Sequence, residues 1–289
     1  LMAFRLEMPF YIFIFAKIRY AAPQHKTKKT QKYISMNKQL SITFVAAATM
    51  LSASCVSHYE MQNVDRSRIL IDSRYDKADA KSEAFIAPFR AQVDSVMGPV
   101  VGKTAKALES YQPESPLSNL LSDILLWSGK DFGEKPDFAV YNVGGIRAAF
   151  PKGNITYGDV LDVAPFENKL CFCSLTGEKV TELFQQMAGW GGQGVSQGVA
   201  AVMDKDLHLL SLKINGEEVD PKRVYRIATL DYVAEGNDRM VAFKSKTDVK
   251  NPGGKKNNVR DLIIRYFKEA SAKGIVIDAN VEGRFVRNK

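Results

Sequence analysis

Residues 138–147 read FAVYNVGGIR, an apolar run that breaks into paired glycines and closes on an arginine. The uncharged run from Phe138 to Val143 predicts a buried strand. Gly144 and Gly145 allow backbone to approach a ligand closely and permit positive φ. Asn142 offers amide donors and acceptors beside them, and Arg147 presents a planar fork suited to phosphate or carboxylate. Taken alone, the segment reads better as a tight turn with a surface arginine, since glycine pairs are common in turns. What surrounds it decides between the two.

Outward from this strand, helices and strands are intermixed. Leu117, Leu120, Leu121, Ile124 and Leu125 form one apolar stripe behind a Ser115-Pro116 start, which predicts a helix. Further upstream Phe85, Ile86, Phe89, Val93 and Val96 recur at helical spacing, with Pro88 expected to kink the helix or delay its start. Leu170 to Leu175, Val199 to Met203, Leu209 to Ile214 and Val224 to Leu230 read as strands, with Asn215-Gly216 as a hairpin turn. A helix capped at Thr176 carries Val180, Leu183, Phe184 and Met187 and stops at Gly189; a last one carries Val259, Leu262, Ile263, Tyr266 and Phe267. No strict βαβ repeat emerges, so the expected class is α/β of the α+β type. We expect a single domain over residues 80–289 with a mixed β-sheet flanked by helices.

Two local patterns have plain readings. Gly189 to Gly194 spells GxGxxG, but a dinucleotide loop follows a strand and opens a helix, whereas these glycines leave a helix and lead to a strand. They read as a flexible helix exit. Cys171 and Cys173, two apart on a strand, share a face and have no second pair to complete a zinc site, so they read as small buried hydrophobes.

The formal net charge is +8, yet residues 1–54 hold eight basic residues against the single acid Glu7. The body is therefore near neutral, without the basic footprint of a nucleic-acid binder. The same stretch explains itself as an export signal. Met36-Asn-Lys opens an n-region, and Leu40 to Ser54 is an apolar run shorter than the ~20 residues that span a bilayer. Small residues then precede Cys55, as in a bacterial lipoprotein signal whose cysteine is lipidated, although Ser52 stands where a leucine is usual. The expected organisation is an over-extended start over 1–35, a signal over 36–54, and a polar tether over 55–79. The protein would be exported, periplasmic or outer-membrane anchored, touching the membrane through the lipid alone.

Two further segments join the opening one. Ala164-Pro165-Phe166-Glu167-Asn168 follows it, and Asp231-Tyr232-Val233-Ala234-Glu235-Gly236-Asn237-Asp238 comes after a later strand. In this order and spacing the three resemble the C-terminal domain of 5'-nucleotidases and UDP-sugar hydrolases. That family carries an Asn-Gly-Gly-Gly-Ile-Arg segment, a Pro-Phe-x-Asn segment and a late aromatic-to-aspartate loop. The likeness runs from about Phe85 to Gly283-Arg284. It implies that Phe166 and Tyr232 sandwich a nucleobase and that Asp238 orients the nucleoside. Asn142, Gly144, Gly145 and Arg147 would face the ribose and phosphate side, with Asn168 and the Gly198 backbone as further base contacts. Departures from the pattern are Asn237 in place of glycine and Arg239-Met240 in place of glycine and an aromatic. Tyr111-Gln-Pro113-Glu114 stands where family members commonly carry phosphate-gripping arginines.

Nucleotidases of the family hold two metal ions in a separate N-terminal domain, a centre that needs several His and Asp ligands. This chain has three histidines, His25, His58 and His208, none in an Asp-x-His or Asn-His-Glu context. No cofactor is therefore expected within the chain. Divalent metals would sit on a separate metallophosphatase chain, for which this one supplies recognition of a nucleotide or nucleoside. The alternatives are a nucleotide-binding surface lipoprotein with no catalytic partner, and a structural surface lipoprotein.

Overall fold

The computed structural model describes residues 42–43, 61–253 and 257–288. Cys55, the expected lipidation site, the 1–35 stretch and all of the expected 36–54 signal except residues 42–43 lie outside the described residues. The chain divides into two units, Leu1–Asp72 and Ser73–Lys289. In the first, residues 61–71 carry no helix or strand. None of the described helices is long and apolar enough to cross a membrane.

The second unit opens with helix α1, Ala80–Met97, capped where Asp79 accepts from the Ser82 amide. Pro88 lies inside α1 and neither delays its start nor ends it. A proline removes one backbone donor, and this helix keeps caps at both ends, the Gly98 amide closing on the Asp94 carbonyl at 2.8 Å. Strand β1 (Val100–Thr104) leads to α2 (Pro116–Ser128), where Ser115 and Ser118 form the reciprocal capping box and Pro116 occupies the first turn. Then come β2 (Phe138–Tyr141), β3 (Gly153–Thr156), α3 (Tyr157–Val163), β4 (Leu170–Thr176) and α4 (Gly177–Ala188). Next are β5 (Gly194–Val195), β6 (Val199–Met203), β7 (Leu209–Ile214), β8 (Glu217–Glu218) and β9 (Val224–Leu230). The chain closes with α5 (Asp231–Ala234), β10 (Thr247–Lys250), α6 (Val259–Ala272) and β11 (Phe285–Arg287).

The class is mixed α/β, as the residue pattern implies. The strands divide among three sheets: β1 with β3, a five-stranded sheet in the order β10-β4-β9-β2-β5, and a four-stranded sheet β11-β6-β7-β8. Positive φ at Asn215 (54°) and Gly216 (84°) makes the tight turn that joins β7 to β8. Helix α2 packs on β2 and β5, α4 on β4, and α6 on β1 and α2. Between them lies a core that includes Leu121, Phe138, Phe172, Phe184 and Phe267, each fully buried. Cys171 and Cys173 are buried and free.

The five-stranded sheet positions everything that follows. β2 and β9 run parallel, pairing Ala139 with Ala228, so both strands leave the sheet at the same edge. β4 runs antiparallel to β9 and enters where β9 leaves, pairing Leu170 with Leu230. β5 runs antiparallel to β2 and also enters there, pairing Tyr141 with Gly194. Four connections from distant parts of the chain thus meet at the carboxyl ends of two parallel strands, where open sheets commonly hold ligands.

Candidate functional site

At that edge lies a cavity of about 230 Å³ lined by Asn142, Gly144, Gly145, Phe166, Asn168, Tyr232 and Asp238. Three of the connections deliver its parts. The exit of β2 carries Asn142 and the two glycines, the entry to β4 carries Phe166 and Asn168, and the exit of β9 carries Tyr232 and Asp238. The cavity is smaller than the ~300–1,000 Å³ usual for a whole small molecule. It suits one planar ring, with the rest of a ligand reaching into solvent.

The rings are half exposed, Phe166 at 48% and Tyr232 at 44%. Among the described residues, neither stacks on another aromatic side chain. Tyr232 stands in the first turn of α5 rather than at the strand end, its amide donating to Asp231 Oδ1 at 2.8 Å. Its phenol donates to Asp238 Oδ1 at 3.1 Å, and this bond to a carboxylate raises the pKa of the phenol. Asp238 Oδ2 accepts from Asn142 Nδ2 at 2.6 Å. Asn142 is buried, and its Oδ1 has no hydrogen-bond partner. A buried acceptor left open beside a cavity is an invitation to a donor from outside.

Neither glycine of the pair is there for backbone freedom, and Gly145 acts through space. Val143–Gly145 forms a turn of 3-10 helix, and neither glycine has positive φ. A Cβ at Gly145 would lie 2.7 Å from Asn142 Oδ1, so the glycine makes room for the carboxamide. Positive φ appears instead at Asp238 (51°) and Arg239 (63°), a left-handed pair that non-glycine residues rarely adopt. Asp238 is held there by its two hydrogen bonds, and the Arg239 guanidinium lies 3.8 Å above the Trp190 ring. Such placement of strained backbone at a cavity wall is frequent at binding sites.

Two of the expected residues fall elsewhere. Arg147 is exposed beyond the cavity lining, with Nη1 3.3 Å from the Gly144 carbonyl. Gly198 lines a separate open cleft with Trp127, Lys130 and Asn215, and its carbonyl accepts from the Asn215 amide at 2.7 Å. The glycine segment after α4 is fitted rather than loose. Gly191 and Gly192 have φ of 90° and 104°, and a Cβ at Gly192 would meet the Pro113 carbonyl oxygen at 2.6 Å.

Residues outside the cavity lining brace its surroundings. Gln193 Oε1 accepts from the Val143 amide at 2.8 Å, and Gln112 Nε2 donates to the Trp190 and Gly192 carbonyls at 2.9 and 2.7 Å. Glu114 is buried and accepts from the amides of Glu282, Gly283 and Arg284, so it ties the chain end to α2. No periodicity or motif marks such residues, because their partners lie far along the chain.

No group of three or more His, Cys, Asp or Glu among the described residues could hold an ion. The cavity's one carboxylate, Asp238, is engaged by Asn142 and Tyr232. His208 sits on an exposed turn with Nδ1 3.1 Å from Asp204 Oδ2.

Residues 100–245 match the family described as 5'-nucleotidase, C-terminal domain. Protein UshA of Escherichia coli (strain K12) is 30% identical over 173 residues, which cover 59% of this chain and 32% of that protein. Endonuclease YhcR of Bacillus subtilis (strain 168) is 27% identical over 229 residues, covering 74% of this chain and 18% of that protein. The crystal structure of the 5'-nucleotidase precursor from Thermus thermophilus superposes with a TM-score of 0.61 at 26% identity, covering 72% of this chain and 43% of that one. The chain spans about a third or less of the length of these curated relatives.

Proposed function

The chain belongs to the 5'-nucleotidase C-terminal domain family, and from that membership we propose that it is the recognition half of a split 5'-nucleotidase-type phosphohydrolase acting in nucleotide catabolism. The observation that carries the reading is the convergence of Asn142, Phe166, Tyr232 and Asp238 on one cavity. A nucleobase enters between the two rings, where stacking contributes roughly 1–3 kcal/mol per ring and tolerates different bases. Asp238 and Asn168 accept from or donate to the nucleoside, and Asn142 Oδ1 accepts from a ligand donor. Arg147 stands on the phosphate side. A separate metallophosphatase chain supplies the divalent metals and the attacking water, and docking brings the presented phosphate to them. The protein acts outside the cytoplasm, as a lipoprotein held through Cys55.

Calorimetry of the purified protein with AMP, adenosine and UDP-glucose tests the recognition role. Binding that Phe166→Ala weakens is the expected result; no binding to any of the three rejects it. A phosphatase assay with Mn²⁺ or Zn²⁺ tests the division of labour. No turnover is expected, and robust turnover by the isolated, metal-loaded chain rejects the split.

A second reading, a nucleoside-binding surface lipoprotein without a catalytic partner, draws on one observation. Gln112 and Glu114 lie in the segment where the family pattern has arginines, and both are committed to internal hydrogen bonds. A neighbouring reading frame with metallophosphatase ligands favours the split enzyme.

A further inference from the structure

Phe166 is half exposed and packs on no other aromatic ring among the described residues. The connection that carries it, residues 164–169 between α3 and β4, has no helix of its own. Something else holds it. Arg260, in the first turn of α6, is absent from the cavity wall yet grips this connection from behind. Its Nε donates to the Ala164 carbonyl at 3.1 Å, and its Nη2 reaches the carbonyls of Pro165 at 3.0 Å and Phe166 at 3.4 Å. The same Nη2 lies 3.1 Å from Glu167 Oε1, and the Arg260 side chain is only 13% exposed. Asn258 Nδ2 adds a bond to Glu167 Oε2 at 2.9 Å, and the Val259 amide donates to the Asn168 carbonyl at 3.0 Å.

We infer that Arg260 is a positioning residue for the base site: by gathering the carbonyls of Ala164, Pro165 and Phe166 into one guanidinium plane, it sets the direction in which the Phe166 ring faces the ligand. The inference rests on the reading of Phe166 as a stacking ring. The physical reason for arginine is its flat, permanently charged fork, which aims several donors from one rigid plane. A lysine ammonium carries charge but no plane, so it can replace the ion pair with Glu167 and not the three-carbonyl grip. Bonds from a charged donor are also the stronger kind, which suits a connection whose residues 165–167 are all exposed.

The experiment compares the full chain with Arg260→Lys, Arg260→Ala, Phe166→Ala and the double variant Phe166→Ala/Arg260→Ala. Two quantities are read: amide hydrogen exchange over 166–169 without ligand, and adenosine affinity by calorimetry. Exchange there should rise in both Arg260 variants while β4 and β9 stay protected. Arg260→Ala should weaken adenosine by about tenfold, the scale of one lost charge-assisted hydrogen bond. It should add nothing in the Phe166→Ala background, and millimolar guanidinium should restore part of the loss. Unchanged exchange in Arg260→Lys overturns the inference, as does equal weakening with and without Phe166. A wild-type chain that binds adenosine, binds it more weakly on Phe166→Ala and ignores Arg260→Ala overturns this inference alone. A wild-type chain that binds no nucleoside overturns the reading of the site and this inference with it.

Discussion

The Asn142 amide donates to Asp238 Oδ2 across 2.6 Å, joining residues 96 apart in the chain. The bond runs from the exit of β2 to the loop beyond β9, and it exists because those parallel strands lie side by side. Asp238 also accepts from Tyr232, so one carboxylate orders a buried amide and an exposed phenol at once. Its position in the left-handed region is the cost of reaching both.

Asp238→Ala should therefore harm fold and site together. It strips the buried Asn142 Nδ2 of its acceptor, a loss of about 1–3 kcal/mol. Urea denaturation of Asp238→Ala, Asn142→Ala and the double variant checks this. The double variant should cost less than the sum of the two, because both single changes break the same bond. Strict additivity would mean that the two side chains act independently.

The Tyr232 phenol should ionise at higher pH than an ordinary tyrosine, because its hydrogen bond to Asp238 favours the neutral form. The sign follows from linkage. A folded-state pKa above the unfolded value means that the bond's contribution is fully present below the unfolded pKa of about 10 and is lost as pH rises through the folded one. The ultraviolet difference spectrum between the wild type and Tyr232→Phe reports this group. In Asp238→Asn the transition should move to lower pH.

Phe166→Ala should weaken adenosine by about fivefold to a hundredfold, the range set by stacking on one ring. Thermal stability should barely change, since the ring is 48% exposed. Tyr232→Phe keeps the ring and drops the hydroxyl, so most of the affinity should survive. Calorimetry on the three proteins, with thermal melts alongside, separates stacking from folding.

Gly145→Ala and Gly192→Ala should fail in different ways. At Gly145 the added methyl meets the end of the Asn142 side chain at 2.7 Å, so the carboxamide is pushed off Asp238 and binding falls while the fold persists. At Gly192 it meets the Pro113 backbone at 2.6 Å with φ at 104°, which no side-chain movement relieves. A loss of about 1–3 kcal/mol in stability is expected there. Denaturation and adenosine binding measured on both variants check the contrast.

The residue pattern was informative wherever the cause was local. The caps at Ser115 and Thr176, the turn at Asn215-Gly216 and the buried runs of β2, β4 and β9 each follow from neighbours within a few positions. Short pairings such as β1 with β3 and β4 with β10 leave no mark on the residue pattern, because a four- or five-residue strand with exposed positions has little periodicity. The helical stripe of α1 was legible, but Pro88 did not delay its start, since Asp79 caps it well upstream.

Types of side chain, their order and the elements that carry them were thus set along the chain: two aromatic rings, an aspartate, an asparagine and a glycine pair at strand exits and entries. Whether they meet was a matter of strand order. β9 had to insert between β4 and β2, in that register, before Phe166, Tyr232, Asp238 and Asn142 could share one cavity. The same arrangement left Gly198 in another cleft and recruited Arg260 from a distant helix. Local preferences act over a few residues, whereas the pairing of strands and the burial of polar groups couple positions far apart in the chain, and only a folded chain can satisfy those together.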